Sequence, residues 1–143
     1  MTNVAQVLSE KMHQAIYTIR PDSTVLEAIT LMAEKGIGAL VVTHEDSVVG
    51  ILSERDYTRK IALMQRTSFD TTVNEIMTSK VITVTSATTV EDCLSLMTDR
   101  HLRHLPVVEH EKLIGLISIG DLVKAAMEDQ RKLIEQLQQY ISG

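Results

Sequence analysis

Apolar residues at Val25, Ala28, Ile29, Met32 and Ala33 follow steps of three and four, the spacing of one helix face. Ser23 or Asp22 is placed to cap that helix and Gly36 to end it. Ahead of it, Tyr17-Thr18-Ile19 predicts a short strand that Pro21 stops, and Val4, Val7, Leu8 and Met12 predict a short helix over Val4 to Met12. Beyond it lie a fully apolar run from Gly38 to Val42, a polar turn at His44-Glu45-Asp46-Ser47, and a second run from Val48 to Leu52. The two runs lack a clean alternation, as expected of strands covered on both faces. A helix opening at Ser53 completes the order β-α-β-β-α.

The order then recurs. Gly50-Ile51-Leu52-Ser53-Glu54-Arg55-Asp56 returns as Gly115-Leu116-Ile117-Ser118-Ile119-Gly120-Asp121, 65 residues further on. The same offset matches Glu10 with Glu75, Thr18 with Thr83, Thr24-Val25 with Thr89-Val90, Leu31-Met32 with Leu96-Met97, and Leu40 with Leu105. The second copy therefore predicts a strand over Ile82 to Val84 and a helix through Val90, Cys93, Leu94 and Met97. Strands over Leu105 to Val108 and Leu113 to Ile117 follow, joined by a turn at Glu109 to Lys112, and a helix starts at Ser118. Residues 1–65 form the first repeat with its N-terminal helix; residues 66–143 form the second, with a linker and an extended C-terminal helix. Each repeat is near the size at which a lone core is marginal, so the halves are expected to share one. From Asp121 onward Leu122, Val123, Ala126, Met127, Leu133, Ile134, Leu137 and Ile141 sustain an unusually long helical pattern, broken by polar Glu128-Asp129-Gln130. An apolar seam left without a domain to cover predicts that Leu133, Ile134, Leu137 and Ile141 contact another chain, with a homodimer preferred, or fold back against the first helix of their own chain.

A hydrophobic content of 44% with 23% charged residues is that of a folded protein, and with aromatics at 3% the core must come from Val, Ile, Leu, Met and Ala. The net charge of −5 argues against a broad nucleic-acid or anionic-membrane surface. Tyr17, Tyr57 and Phe69 do not interleave with a basic patch. No apolar run approaches the roughly 20 residues of a membrane span, and the N-terminus lacks a signal-peptide pattern, so a cytoplasmic location is expected. Cys93, the lone cysteine, stands where Ala28 stands and reads as a small buried residue.

The chemistry concentrates in Ser53-x-x-Asp56 and Ser118-x-x-Asp121. A serine at N-cap and an aspartate at N3 share the first helical turn, where they either cap the helix or offer a hydroxyl, a carboxylate and backbone N–H groups to a ligand. His101, His104 and His110 are accompanied by no Cys-x-x-Cys or His-Glu-x-x-His pattern, which disfavours a metal site. The acids come with no nucleophile or base constellation, so no catalytic residue is assigned.

Over nearly its whole length the chain resembles a tandem pair of cystathionine-β-synthase-type (CBS) domains, a Bateman module. The likeness is carried by Thr18-Ile19-Arg20-Pro21 to Leu31-Met32, Gly38-Ala39-Leu40-Val41-Val42 and Gly50 to Asp56. In the second copy it is carried by Val81-Ile82-Thr83-Val84, Leu102-Arg103-His104-Leu105-Pro106-Val107-Val108 and Gly115 to Asp121. The resemblance implies an α/β fold (α+β in some schemes) of β-α-β-β-α repeats packed through their sheets. It also implies a noncatalytic regulatory sensor of adenine nucleotides or adenosyl compounds that dimerises and acts on a regulated protein partner. No cofactor is required; AMP, ADP, ATP, NAD and S-adenosylmethionine are the candidate ligands. The family positions for the base fall on Tyr17 and Ile82, with Ile37-Gly38 and Leu102-Arg103 closing the pocket. Ser53 and Ser118 would meet the sugar or a phosphate, and Asp56 and Asp121 the ribose hydroxyls. Arg55 favours a phosphorylated ligand at the first motif; Gly120 offers no such cation at the second, where Arg103 is the candidate. A structural or protein-interaction module with empty clefts is the alternative reading, and an enzyme the weaker one.

Overall fold

In the computed structural model, which describes residues 2–11 and 15–142, α1 spans Val4–Glu10 and is closed by a capping box: the Asn3 side chain accepts from Gln6 N–H at 3.0 Å while the Asn3 N–H donates to Gln6 Oε1 at 2.9 Å. The helix ends before Met12, which lies outside the described residues. Strand β1 (Thr18–Ile19), helix α2 (Val25–Lys35), strands β2 (Ala39–His44) and β3 (Ser47–Ser53) and helix α3 (Glu54–Tyr57) make the first repeat. Then come a π-helical turn over Thr58–Ala62 and α4 (Val73–Ile76). The second repeat is α5 (Val90–Arg100), β4 (His104–Glu109), β5 (Lys112–Ser118) and α6 (Ile119–Ser142).

The caps differ from expectation in one respect. Neither Ser23 nor Asp22 caps α2: Thr24 does, accepting from Glu27 N–H at 3.1 Å, and Thr89 caps α5 through Asp92 N–H at 3.1 Å. Thr24 is the extended residue immediately before the first helical turn, so its side chain, and not that of Asp22 or Ser23, stands over Glu27 N–H; Asp22 instead pairs with the Arg20 guanidinium. Gly36 ends α2 in the left-handed region at φ 63°, as its position suggested; the matching residue in the second copy is His101, at φ 55°. Both hairpins turn through two residues of positive φ, Glu45-Asp46 and His110-Glu111, the conformation whose twist matches that of the strands.

In the first repeat β1 runs parallel to β2 and β2 antiparallel to β3, with a bulge between Val42 and Thr43. The second sheet has two strands, β4 and β5. The strand expected over Ile82 to Val84 is reduced to a single parallel bridge of Val84 with Val107. The reason is legible in the partner: Pro106 stands where Val41 pairs with Thr18, and proline has no N–H to extend the ladder.

The chain divides into two compact units, Ile16–Ile82 with His110–Leu113, and Met1–Ala15 with Thr83–Glu109 and Ile114–Gly143. The boundary between residues 65 and 66 marks the repeat period, whereas each unit takes its flanking segment from across it. In the first-repeat unit α4 is tied to the start of α2 by Val73 N–H to Ser23 O (2.8 Å), Asn74 N–H to Pro21 O (2.9 Å) and Val25 N–H to Thr71 O (2.9 Å). Its core is Val25, Ala28, Met32, Leu40, Val42, Leu52, Ile61, Val73 and Ile76. In the second-repeat unit α1 takes the corresponding place through Val4 N–H to Thr88 O (2.8 Å) and Ala5 N–H to Ser86 O (2.9 Å). Val4, Val90, Cys93, Met97, Leu105, Val107, Ile117 and Leu122 are buried there. Each flanking segment lies over a strand glycine: a Cβ on Gly50 would collide with Met77, and one on Gly115 with Leu8. Helix α6 runs unbroken for 24 residues. The polar stretch at its middle does not interrupt it, because Arg131 bridges Glu128 and Glu135 along one face.

Candidate functional site

Strand β3 delivers Ser53 in extended geometry (φ −120°, ψ 163°) to the start of α3, which is what turns its hydroxyl toward the helix N–H groups. Asp56 N–H donates to Ser53 Oγ at 3.2 Å, and Asp56 Oδ2 accepts from Ser53 N–H at 2.9 Å and from the Ser53 hydroxyl at 3.1 Å. The other carboxylate oxygen faces Thr78 Oγ1 at 3.4 Å and the Lys60 ammonium at 3.5 Å. Strand β5 repeats the arrangement: Asp121 N–H donates to Ser118 Oγ at 3.2 Å and Ser118 N–H to Asp121 Oδ2 at 2.9 Å. The second box is completed by Lys11, whose ammonium lies 2.7 Å from Asp121 Oδ2 and 3.0 Å from the Leu116 carbonyl. Burial alone would push the Asp121 carboxyl up, but the Lys11 hydrogen bond, the Ser118 N–H and the Lys11 charge outweigh it and hold the group below its ordinary value.

The loop before each hairpin joins its own motif. Gly38 O accepts from Glu54 N–H at 3.0 Å, and Arg103 O accepts from Ile119 N–H at 2.9 Å. Gly38, Ser53 and Asp56 are thereby gathered in one unit, as are Arg103, Ser118 and Asp121 in the other. Ile37 and Leu102 close the turns after α2 and α5 by donating to Met32 O and Met97 O. Tyr17 packs against the first-repeat core with the Lys35 ammonium 5.3 Å from its ring centroid. Arg55 and Arg103 are exposed and form no ion pair with a described residue. Ile82, half-buried, belongs to the first-repeat unit and is not grouped with Ser118 and Asp121.

Three polar partners of the motifs escaped the sequence reading. Lys60, four residues after Asp56 on the same helical stretch, was open to an i,i+4 argument. Thr78 and Lys11 were not, since Lys11 stands 110 residues from Asp121. A cleft of about 350 Å³ is lined by Ile16, Thr18, Thr43, Asp46, Lys112 and Leu113, none of them a predicted site residue. Among the described residues no group of three or more His, Cys, Asp or Glu side chains could hold a metal, and no helix is long and apolar enough to cross a membrane.

Two copies of one sheet-to-helix turn, in the same register, are what a tandem repeat family predicts, and the family model of the CBS domain matches residues 4–63 and again 73–128. The chain belongs to the CBS-domain family. Its α/β architecture and tandem β-α-β-β-α plan are those of a Bateman module. This CBS-domain chain is 42% identical over 127 residues to CBS domain-containing protein CBSX3, mitochondrial, from Arabidopsis thaliana. The match covers 85% of this chain and 62% of that protein, less than two thirds of its length. Among solved structures it is similar to a protein with CBS domains from Burkholderia ambifaria MC40-6, with a TM-score of 0.86, 51% identity, and coverage of 90% of this chain and 96% of that one. It is also similar to CBSX2 in complex with AMP, with a TM-score of 0.73, 25% identity, and coverage of 91% and 99%.

Proposed function

We propose that this CBS-domain chain is a noncatalytic regulatory module that binds an adenosine-containing ligand at the turns around Ser53-Asp56 and Ser118-Asp121, with AMP as the first ligand to test. The observation that carries this reading is the similarity over nearly the whole chain to a CBS protein solved with AMP. The site chemistry supports it. A carboxylate has about four lone-pair sites, so Asp56 and Asp121 can keep their serine bonds and still accept from a ribose diol. Tyr17 with Ile37-Gly38 at the first motif, and Leu102-Arg103 at the second, provide apolar surface and backbone groups for adenine, and Arg55 provides a cation for a phosphate at the first. ADP, ATP, NAD and S-adenosylmethionine share the adenosyl group and form the comparison panel.

The exposed apolar residues of α6, with Leu133 at 55%, Leu137 at 52% and Ile141 at 84% exposure, favour a homodimer and a surface for a regulated partner. One observation favours a second reading, an interaction module with empty sites: both Ser-x-x-Asp boxes are complete helix caps without any ligand. Calorimetric titration of AMP into the parent and the Asp56→Ala/Asp121→Ala variant separates the two. Loss of each direct, partly buried ribose bond should cost about 1.5–3 kcal/mol, roughly tenfold to a hundredfold in affinity, while circular dichroism shows the fold retained. Unchanged affinity in the folded double variant would leave only the cap reading.

A further inference from the structure

The two boxes close in the same way but leave different atoms unused. In the first, the Ser53 hydroxyl donates to Asp56 Oδ2, and Oδ1 faces Thr78 and Lys60, so both carboxylate oxygens already meet a protein donor. In the second, Ser118 N–H and the Lys11 ammonium converge on Oδ2 alone. No direct hydrogen bond from a described residue falls on Oδ1 of Asp121, while the Ser118 hydroxyl accepts from Asp121 N–H and also favours the ionised Asp121 carboxylate beside it. The ammonium carries three N–H groups and directs two of them to Asp121 and Leu116, leaving one. Among the described residues an acceptor oxygen without a donor therefore sits beside the remaining N–H of a cationic Lys11. Lys11 and Asp121 are only 23% and 24% exposed, so an added partner there is weakly screened.

We infer that the Asp121 motif is the tighter of the two nucleotide subsites and that Lys11 is the residue that makes it prefer a phosphorylated ligand; this rests on the nucleotide reading proposed above. A ribose hydroxyl donates to Asp121 Oδ1 while a phosphate oxygen accepts from the remaining N–H of the Lys11 ammonium. Gly120 stands where the first motif has Arg55, and Lys11 supplies the missing cation from α1, which is fixed to the same unit through Val4, Ala5 and Leu8. Lys60 cannot serve the first motif equally, because its ammonium donates to Ile76 O at 2.8 Å and lies on the very oxygen a ribose would need.

The test is calorimetric titration of AMP and adenosine into the parent, Lys11→Met, Lys11→Arg, Asp121→Ala and Asp56→Ala chains. Lys11→Met should weaken AMP at the tighter site by about tenfold or more and adenosine by less than about threefold. Lys11→Arg should keep the preference for AMP, showing that charge rather than the seating of α1 is being read. Asp121→Ala should remove the tighter event and Asp56→Ala should leave it. Equal losses of AMP and adenosine in Lys11→Met, or disappearance of the tighter event in Asp56→Ala, would overturn the inference while leaving the nucleotide reading intact. A parent chain that binds neither ligand would overturn both.

Discussion

A methyl group added at Gly115 would stand 2.5 Å from Leu8 Cδ2 and 3.1 Å from Leu8 Cδ1. Carbon atoms attract at about 3.5–4.0 Å, so Gly115→Ala forces Leu8 off its seat or lifts α1 from β5. Overpacking of this kind costs about 1–3 kcal/mol. For a chain of this size, each 1 kcal/mol lowers the melting temperature by about 4 °C. Leu8→Ala alone loses the packing of a half-buried leucine, up to about 2 kcal/mol. Combined, the new methyl occupies room that the leucine has vacated, so the double variant should be more stable than the sum of the singles by about 1 kcal/mol or more. Urea denaturation followed by far-ultraviolet circular dichroism gives all four corners of the cycle. Additivity within about 0.5 kcal/mol would mean that α1 does not lie on β5 in solution, and the assignment of the N-terminal segment to the second-repeat unit would fail.

Three further expectations follow from single features. His101→Gly should raise stability by about 0.5–1 kcal/mol, because His101 holds a left-handed conformation that Gly36 adopts without a side chain; a loss on denaturant unfolding would contradict this. Burial raises the Asp121 carboxyl less than Lys11 and Ser118 lower it, so its folded value lies below its unfolded value of about 3.9. Its ionised form therefore adds stability above about pH 4, and that stability is lost as pH falls through the folded value. The deficit of Asp121→Asn seen at pH 7 should shrink below about pH 4, and a deficit constant across this window would refute the ion pair as its source. The parent should sediment at twice the monomer mass, and Ile134→Asp/Leu137→Asp at the monomer mass, since both residues lie on the exposed face of α6; a monomeric parent across micromolar concentrations would reject the dimer.

Much of the fold was legible because it is written twice. The 65-residue offset located the hairpins, their polar turns and the Ser-x-x-Asp starts of α3 and α6, and a feature seen in both copies needs no separate argument. What escaped depends on single-copy differences or on distance along the chain. Pro106 shortens one parallel ladder, a consequence that appears only when Pro106 is paired with Thr83. Thr24 rather than Ser23 is the cap because the helix begins at Val25, whose N–H is taken by Thr71 O far along the chain. At the motifs the sequence showed Ser53, Asp56, Ser118 and Asp121 and their capping geometry. The lysine at each carboxylate followed no repeat, since the offset pairs Lys11 with Ile76 and Lys60 with Ala125.

A crystal structure of the full chain grown with AMP tests the central claim most directly. The account predicts AMP with a ribose hydroxyl within about 3 Å of the Asp121 carboxylate, and of Asp56 if the second site fills, with Lys11 on the phosphate side. AMP seated only in the cleft of Ile16, Thr18, Thr43, Asp46, Lys112 and Leu113, touching neither carboxylate, would contradict it.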